Sequence, residues 1–322
     1  MSEGKFQATP TNPAGCPLGH KSVRIVESVS ARRLVSAYRD FFGIEISTML
    51  AGFDEILFCH CDECGLSFFN PPIAGSSTFY AELSHIEWYY PLEKEEYRLA
   101  ARRIATGQRV LEVGCGAGRF AQHITTSSYI GLEFNPDAIT TAVAAGLDVR
   151  NESIEKFASS HGSSADVVCA FQVLEHVPDP ASFISACVAC AKPGGLVMFG
   201  VPNSDGFMGI QPDDVLNMPP HHITRWSESV FWHIAQQFGL EVIAVEAESL
   251  SFSPPYADTR LMRLMMRKLK MKQTFLFYGW RYVMLKKAAK MLRQIMMAGL
   301  YDAHLLPKGP AILAVLRKIP SQ

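Results

Sequence analysis

The segment that most constrains this chain is Val110-Leu-Glu-Val-Gly-Cys-Gly-Ala-Gly-Arg-Phe120. A short, largely apolar stretch runs directly into Gly114, Gly116 and Gly118 and then into a helical pattern. Glycine takes positive φ at no steric cost and lets backbone approach a ligand closely. A strand, a glycine loop and a helix in that order belong to open α/β sheets, which bind ligands beyond the carboxyl ends of their strands. The dinucleotide fingerprint G-x-G-x-x-G is not met, because Arg119 stands where its last glycine belongs. The loop therefore suits a smaller nucleoside ligand without a pyrophosphate. The plainer alternative is a turn that only joins strand to helix.

The surrounding pattern supports the sheet. Strands are predicted at Arg109 to Val113, Tyr129 to Phe134, Asp148 to Arg150, Val167 to Phe171, Leu196 to Val201, Leu240 to Val245 and Ala311 to Leu316. Helices are predicted between them at Arg119 to Thr125, Pro136 to Ala145, Ile154 to Ser159, Ala181 to Ala191 and Glu228 to Phe238. This alternation implies an α/β fold, a mainly parallel seven-stranded sheet with helices on both faces. Glu133 closes the second strand, where a carboxylate can accept hydrogen bonds from ribose hydroxyls; the alternative is a solvated strand-end acid.

Read together, Glu112 to Gly118, Gly131 to Pro136, Ser153 to Glu155, Phe171 to Val177 and Lys192 to Gly195 resemble the class I S-adenosylmethionine (SAM)-dependent methyltransferases. Their order and spacing are closest to the subgroup that contains ubiquinone-pathway-type O-methyltransferases. The resemblance covers residues 107 to 250 and implies a Rossmann-like fold with SAM as cofactor. It implies that Glu112, Gly114, Cys115, Gly116 and Gly118 wrap the methionine part and ribose. It also implies that Glu133 holds the ribose hydroxyls, Phe134 lies against the adenine, Ser153 and Ile154 frame the adenine edge, and Phe171 and Gln172 line the methionine end. Some relatives carry an acid at the position of Gln172 and hold a divalent metal with the following Glu-His. Gln172 is a poor ligand, so Glu175 and His176 are expected to cap and anchor their loop instead.

Methyl transfer to a hydroxyl or an acidic carbon benefits from a general base. Asn217-Met-Pro-Pro-His-His-Ile-Thr-Arg-Trp226 follows the fifth strand, and the resemblance places such a loop over the acceptor pocket. His222, and after it His221, is the candidate catalytic base, since imidazole titrates near neutral pH. Anchoring of the loop through backbone hydrogen bonds is the competing role. Adjacent residues of an extended loop point to opposite sides, so only one of the pair is expected to face the acceptor.

Four of the eight cysteines lie before residue 65. Cys61-Asp-Glu-Cys64 is a C-x-x-C knuckle, and Cys16-Pro-Leu-Gly-His20 offers a cysteine and a histidine four apart. Cys16, His20, Cys61 and Cys64 are the candidate tetrahedral zinc ligands. Several related methyltransferases begin with two C-x-x-C pairs; here Gly19 replaces one cysteine, so His20 must substitute, or Cys59 or His60 must step in. A metal-free knuckle is the alternative.

Residues 250 to 308 hold twelve basic residues and only two acids, Asp258 and Asp302, although the whole chain has a net charge of -1. Apolar residues Tyr282, Leu285, Ala289, Leu292 and Met296 recur there at helical spacing. A helical lid with a solvated basic face is the plain reading. Peripheral membrane contact through residues 258 to 297 is the next, and nucleic acid is disfavoured. The stretch before Gly15 has no apolar core of a signal, and no apolar run reaches membrane-spanning length, so a cytoplasmic enzyme is expected, peripheral at the membrane surface in the second reading.

The expected organisation is a zinc-ribbon-like module at 1–84, a connecting helix within 85–106, and a methyltransferase domain at 107–322 with the basic helical insert 250–308 between its last two strands. The expected activity is transfer of a methyl group to oxygen or carbon of a small-molecule, glycan or lipid-linked acceptor. Two rivals are a noncatalytic SAM-binding or zinc scaffold that docks on membranes, and an RNA or protein methyltransferase. A nicotinamide-dependent oxidoreductase is disfavoured by the missing fingerprint glycine.

Overall fold

A computed structural model describes residues 15–86, 94–206, 214–248, 261–262, 265–266, 268–269, 280–296 and 309–320. The N-terminal 14 residues and most of the basic insert, including Phe275 to Tyr278, lie outside them.

The strand Ala165–Phe171 (β7) shows why the larger sheet forms. Its sequence ADVVCAF is an almost unbroken apolar run, buried along nearly its whole length, as expected of a parallel strand covered on both faces. Arg109–Val113 (β4) lies on one side of it and Ala191–Pro202 (β8) on the other, both parallel. Beyond β4 come Ser128–Leu132 (β5) and Asp148–Arg150 (β6), again parallel. Beyond β8 come Ala311–Lys318 (β11), antiparallel to both neighbours, and then Leu240–Ala247 (β10) at the edge. The order β10-β11-β8-β7-β4-β5-β6 reverses direction between β4 and β7, which opens a crevice at their carboxyl ends.

The helices begin where the sequence supplies caps. Pro136–Ala144 (α4) starts from Asn135, whose side chain accepts from the Asp137 and Ala138 amides. Ile154–Ser160 (α5) starts from Ser153, and Pro180–Cys190 (α6) from Asp179. Asn, Ser and Asp satisfy amides that the first helical turn leaves without partners, and Pro136 and Pro180 fit the first turn because proline has no N–H to lose. Glu228–Gln237 (α7) precedes β10. Two expected elements differ. The helix at 119–125 is only a short 3-10 turn, Phe120–His123, and β5 ends at Leu132, so Glu133 sits in the loop. The connecting helix (α3) spans Glu95–Ala101.

The N-terminal region builds a second sheet. Val23–Ser30 (β1), Glu55–Cys61 (β2) and Ser67–Asn70 (β3) pair antiparallel, with the helix Ala31–Phe42 (α1) between the first two and Ser77–Ser84 (α2) after the third. The outer edge of β3 is covered by a strand from far along the chain: Thr224–Arg225 (β9) pairs with Phe68 and Ser67. The module is therefore not closed within residues 1–84, because the amide edge of β3 finds its partner in the loop after β8. One apolar cluster runs from Cys16 and Leu66 through Trp226 and Phe231 to Phe199 and Leu316, across both sheets.

The insert contributes the helix Trp280–Met296 (α8), between β10 and β11 in the chain. Met262, Met266 and Ala289 are buried together there, so part of its methionine content is packing material. Among the described residues, no helix is long and apolar enough to cross a membrane.

Candidate functional site

The glycine loop leaves β4 at the switch point. The amides of Gly114 and Cys115 both donate to the Leu132 carbonyl, binding the loop to the end of β5. Gly114 and Gly118 have φ of 71° and 74°, and a Cβ would overlap Val173 Cγ2 at the first and Leu147 Cδ1 at the second. The glycines are needed both for backbone conformation and for space.

Glu133 stands opposite. Its Oε2 accepts from the Gly116 amide at 2.8 Å, and its Oε1 accepts from the Phe134 and Asn135 amides at 2.7 and 2.8 Å. The carboxylate is thus fixed against the loop, with lone pairs left for further donors. Phe134, beside it, is 64% exposed and offers an open ring face. The Ser153 hydroxyl caps α5 through the Lys156 amide, and the Ile154 side chain is buried in the core.

Other expected residues lie beneath this surface. Glu112 is buried and accepts from the Tyr129 hydroxyl at 2.5 Å; burial raises its pKa to about 8. Cys115 is buried as well, and desolvation pushes its thiol to about 12. Phe171 does not line the crevice with its ring: the ring packs between Tyr97 and Phe120, at centroid distances of 5.1 and 4.7 Å. Strand side chains alternate between faces, and position 171 falls on the α3 face. Gln172 adopts φ 57° and donates to Glu96 Oε2 at 3.0 Å. Glu96 is buried, which raises its pKa, with Lys94 Nζ 3.7 Å away. Lys94 and Glu96 belong to the expected connecting helix, and nothing in their spacing signals that Glu96 turns inward.

A second group gathers where the loops after β7 and β8 cross. The Ile223 amide donates to the Glu175 carbonyl at 2.9 Å and the Thr224 hydroxyl to the Leu174 carbonyl, stitching the loops together. The rings of His221 and His222 stack at 4.3 Å and 23°, and the His176 ring lies 4.7 and 5.0 Å from them. The two adjacent histidines therefore face the same side, contrary to the expectation from an extended loop. Their amides both donate to the Met218 carbonyl at 3.1 Å, so the backbone is a tight turn, to which strand alternation does not apply.

Burial keeps these imidazoles neutral. It lowers the His176 pKa to about 4 and holds His221 and His222 well below the ordinary value. Glu175 is 1% exposed, neither carboxylate oxygen has a hydrogen-bond partner, and burial raises its pKa to about 8. Its Oε1 lies 3.8 Å from His176 Nε2 and 4.0 Å from His222 Nε2. The Glu175 side chain makes no helix cap, whereas His176 does anchor the loop, donating from Nδ1 to the His221 carbonyl at 2.5 Å. Tyr80 and Phe79 of α2 flank the group, with Tyr80 5.6 Å from the His176 ring. The N-terminal region thus supplies an aromatic wall to this end of the crevice.

The third group is the knuckle. One ligand atom each from Cys16, His20, Cys61 and Cys64 lies within 4.8 Å of the others. Cys16 Sγ and Cys64 Sγ are 3.6 Å apart, close to the ~3.8 Å that zinc–sulfur bonds of about 2.3 Å require in a tetrahedron. His20 Nε2 pairs with His233 Nε2 at 2.8 Å, while its Nδ1 is buried without a partner, an orphan that a metal would satisfy. The Leu18 amide donates to Cys16 Sγ, and the hydrogen bond from Cys64 pulls the Cys16 thiol down to about 5. Cys59 and His60 stay outside: the Cys59 thiol points at the Leu57 carbonyl, and His60 Nδ1 pairs with the Ser67 hydroxyl.

A mainly parallel α/β sheet, with a glycine loop and an acid just past the neighbouring strand at its switch point, defines an open α/β domain with its ligand crevice at the carboxyl ends of the strands. Comparison with known proteins narrows that class. Residues 87–245 match the family model described as a methyltransferase domain. A ubiquinone biosynthesis O-methyltransferase of Hahella chejuensis is 34% identical over 141 residues, 40% of this chain and 59% of that protein. Its counterpart in Salmonella arizonae is 37% identical over 108 residues, 31% of this chain and 45% of that one. The chain thus spans roughly half the length of these curated relatives. A SAM-dependent methyltransferase structure from Archaeoglobus fulgidus is 18% identical, with a TM-score of 0.49, covering 74% of this chain and all of that one. Residues 87–245 thus form a methyltransferase domain, as that family model describes it.

Proposed function

We propose that the protein is a SAM-dependent methyltransferase acting on an oxygen of a small-molecule acceptor. The observation that carries this reading is the cradle between Gly114 and Gly118 facing a carboxylate, Glu133, fixed by three backbone amides. Donors and shape there fit a nucleoside without a pyrophosphate. SAM bound there would supply an electrophilic methyl group on a sulfonium. Glu133 would hold the ribose hydroxyls, the exposed Phe134 ring would cover the adenine, and Gln172, fixed by Glu96, would limit the methionine end. His221 and His222 present neutral imidazoles to the acceptor side, where a lone pair can take or direct an acceptor proton. Phe79 and Tyr80 wall that side and exclude water. The O-methyltransferase names of the relatives support an oxygen acceptor. The knuckle residues Cys16, His20, Cys61 and Cys64 would hold a structural zinc ion.

Calorimetric titration with S-adenosylhomocysteine tests the reading. Saturable binding by the wild type, weakened at least tenfold in Glu133→Ala, is the expected result. No binding by folded wild-type protein would defeat the proposal and favour a scaffold role.

One observation supports a lipid-linked acceptor or peripheral membrane contact. On α8, Met284 and Met291 are 59% and 62% exposed beside exposed Lys286, Lys287 and Lys290. Apolar side chains among lysines suit an anionic surface. Co-sedimentation with phosphatidylglycerol vesicles that declines with salt would support this; no sedimentation at low salt would remove it.

A further inference from the structure

We infer that Glu96 and Lys94 form a clamp for the amino-acid head of the bound nucleoside, the Glu96 carboxylate taking its ammonium group and the Lys94 amine its carboxylate. The inference rests on the methyltransferase reading, whose cofactor ends in such a zwitterion. Glu96 is 1% exposed. Its Oε2 accepts from Gln172 Nε2 at 3.0 Å and rests against β8, since a Cβ on Gly200 would stand 3.0 Å from it. Its Oε1 has no hydrogen-bond partner, and Lys94 Nζ is 3.7 Å away, beyond hydrogen-bond length. A buried carboxylate oxygen left without a donor is costly, and buried polar groups are otherwise paired. A second cation beside Lys94 would supply that donor.

The place of the pair in the crevice supplies the independent observation. Glu133 follows β5 and Gln172 follows β7, on the two sides of the β4 loop. Val173, next to Gln172, meets that loop, because a Cβ on Gly114 would overlap its Cγ2. Glu96, bonded to Gln172, therefore lies at the end of the crevice away from Glu133. With the ribose at Glu133, the amino-acid head of the same ligand points toward Glu96.

The charges around the pair favour a cation. Burial raises the Glu96 pKa, and the charge of Lys94 and the bond from Gln172 act against it. Glu248, just after β10, is raised to about 7 by burial and by the nearby Glu96 and Glu95. Lys94 acts on Glu96, Glu112 and Glu248 alike, one amine among three acids. The ammonium and sulfonium charges of the ligand would offset that excess. The Lys94 side chain is 21% exposed against 2% for Glu96, so the pair opens on the lysine side, where the ligand carboxylate would meet it. A contact that only pins α3 to β7 is the rival account; it uses Oε2 and leaves Oε1 unexplained.

The test titrates the full chain calorimetrically with two nucleosides that differ only in this head. One is S-adenosylhomocysteine; the other is methylthioadenosine, which carries a methyl group on the same sulfur. Wild type should bind S-adenosylhomocysteine about a hundredfold more tightly than methylthioadenosine. Glu96→Gln keeps an oxygen for Gln172 and removes the charge. It should weaken S-adenosylhomocysteine about tenfold or more and leave methylthioadenosine within about twofold. Lys94→Met, at a partly exposed side chain, should show the same split, and it decides alone if Glu96→Gln does not fold. Equal weakening of both nucleosides would make the pair purely structural and overturn the inference, as would variants that bind both like wild type. Wild type that binds the two nucleosides equally keeps the cradle and removes the clamp. Wild type that binds neither removes the methyltransferase reading and the clamp with it.

Discussion

Glu112 illustrates how a single buried acid sets a pH dependence. Its carboxyl group titrates near 4.5 in an unfolded chain and near 8 in the fold, raised mainly by burial. Folding therefore takes up a proton between these values. The stability that Glu112 contributes is complete below pH 4.5 and is lost as pH rises through about 8. Glu112→Gln keeps an acceptor for the Tyr129 hydroxyl and removes the titration. Urea unfolding at pH 5.5 and 8 should show wild type losing on the order of 2 kcal/mol more than the variant across that interval. Equal losses would mean that the acid is solvated. At this scale the approach of Glu133 to the glycine loop was legible from local spacing, and the residue types alone suggested that Cys16 and His20 lie near Cys61 and Cys64. The convergence of His176, His221 and His222 on Glu175 was not. It depends on a turn closed on the Met218 carbonyl and on two loops that cross 45 residues apart in the chain.

Among the elements, the segment from Asn217 to Trp226 joins the two sheets. Arg225 lies 4.8 Å over the Phe58 ring and 5.5 Å over the Phe69 ring, and donates to the Asn217 carbonyl at 2.6 Å. It connects β2 and β3 to the loop that carries the histidines. Arg225→Met should cost about 2 kcal/mol, from the lost cation–π contact and hydrogen bond. It should also speed amide exchange across residues 214–224 while leaving β4 and β7 protected; uniform acceleration would show that the loop has no stability of its own to lose. Strands and helices of the large sheet were readable to within a few residues, because apolar runs and caps announce them. β9 was not: two residues, Thr224 and Arg225, carry no periodicity, and only the open edge of β3 explains them.

For the molecule as a whole, the shared core argues against independent halves. Val215, Leu216 and Met218 are buried among Leu34, Tyr38, Phe79 and Leu83 of the N-terminal region. The full chain should unfold in urea as a single transition, reported alike by tryptophan fluorescence and circular dichroism. A fragment of residues 87–322 should be poorly soluble or bind an apolar dye, since removing the first region exposes that face. A well-behaved fragment with native-like melting would show that the two regions are separable. The boundary read near residue 84 marks a change of composition, and buried contacts and one strand pairing cross it.

The pairing of β3 with β9 also bears on how the chain is made. The edge at Ser67 and Phe68 leaves the ribosome roughly 150 residues before its partners Arg225 and Thr224. At synthesis rates of about 5–20 residues per second, that edge waits on the order of ten seconds. During this time Phe68 and Phe69, both buried in the finished protein, belong to an uncapped sheet. Until β9 arrives, an edge of this kind is open to pairing with another chain, and slower translation of the middle of the message would lengthen that exposure.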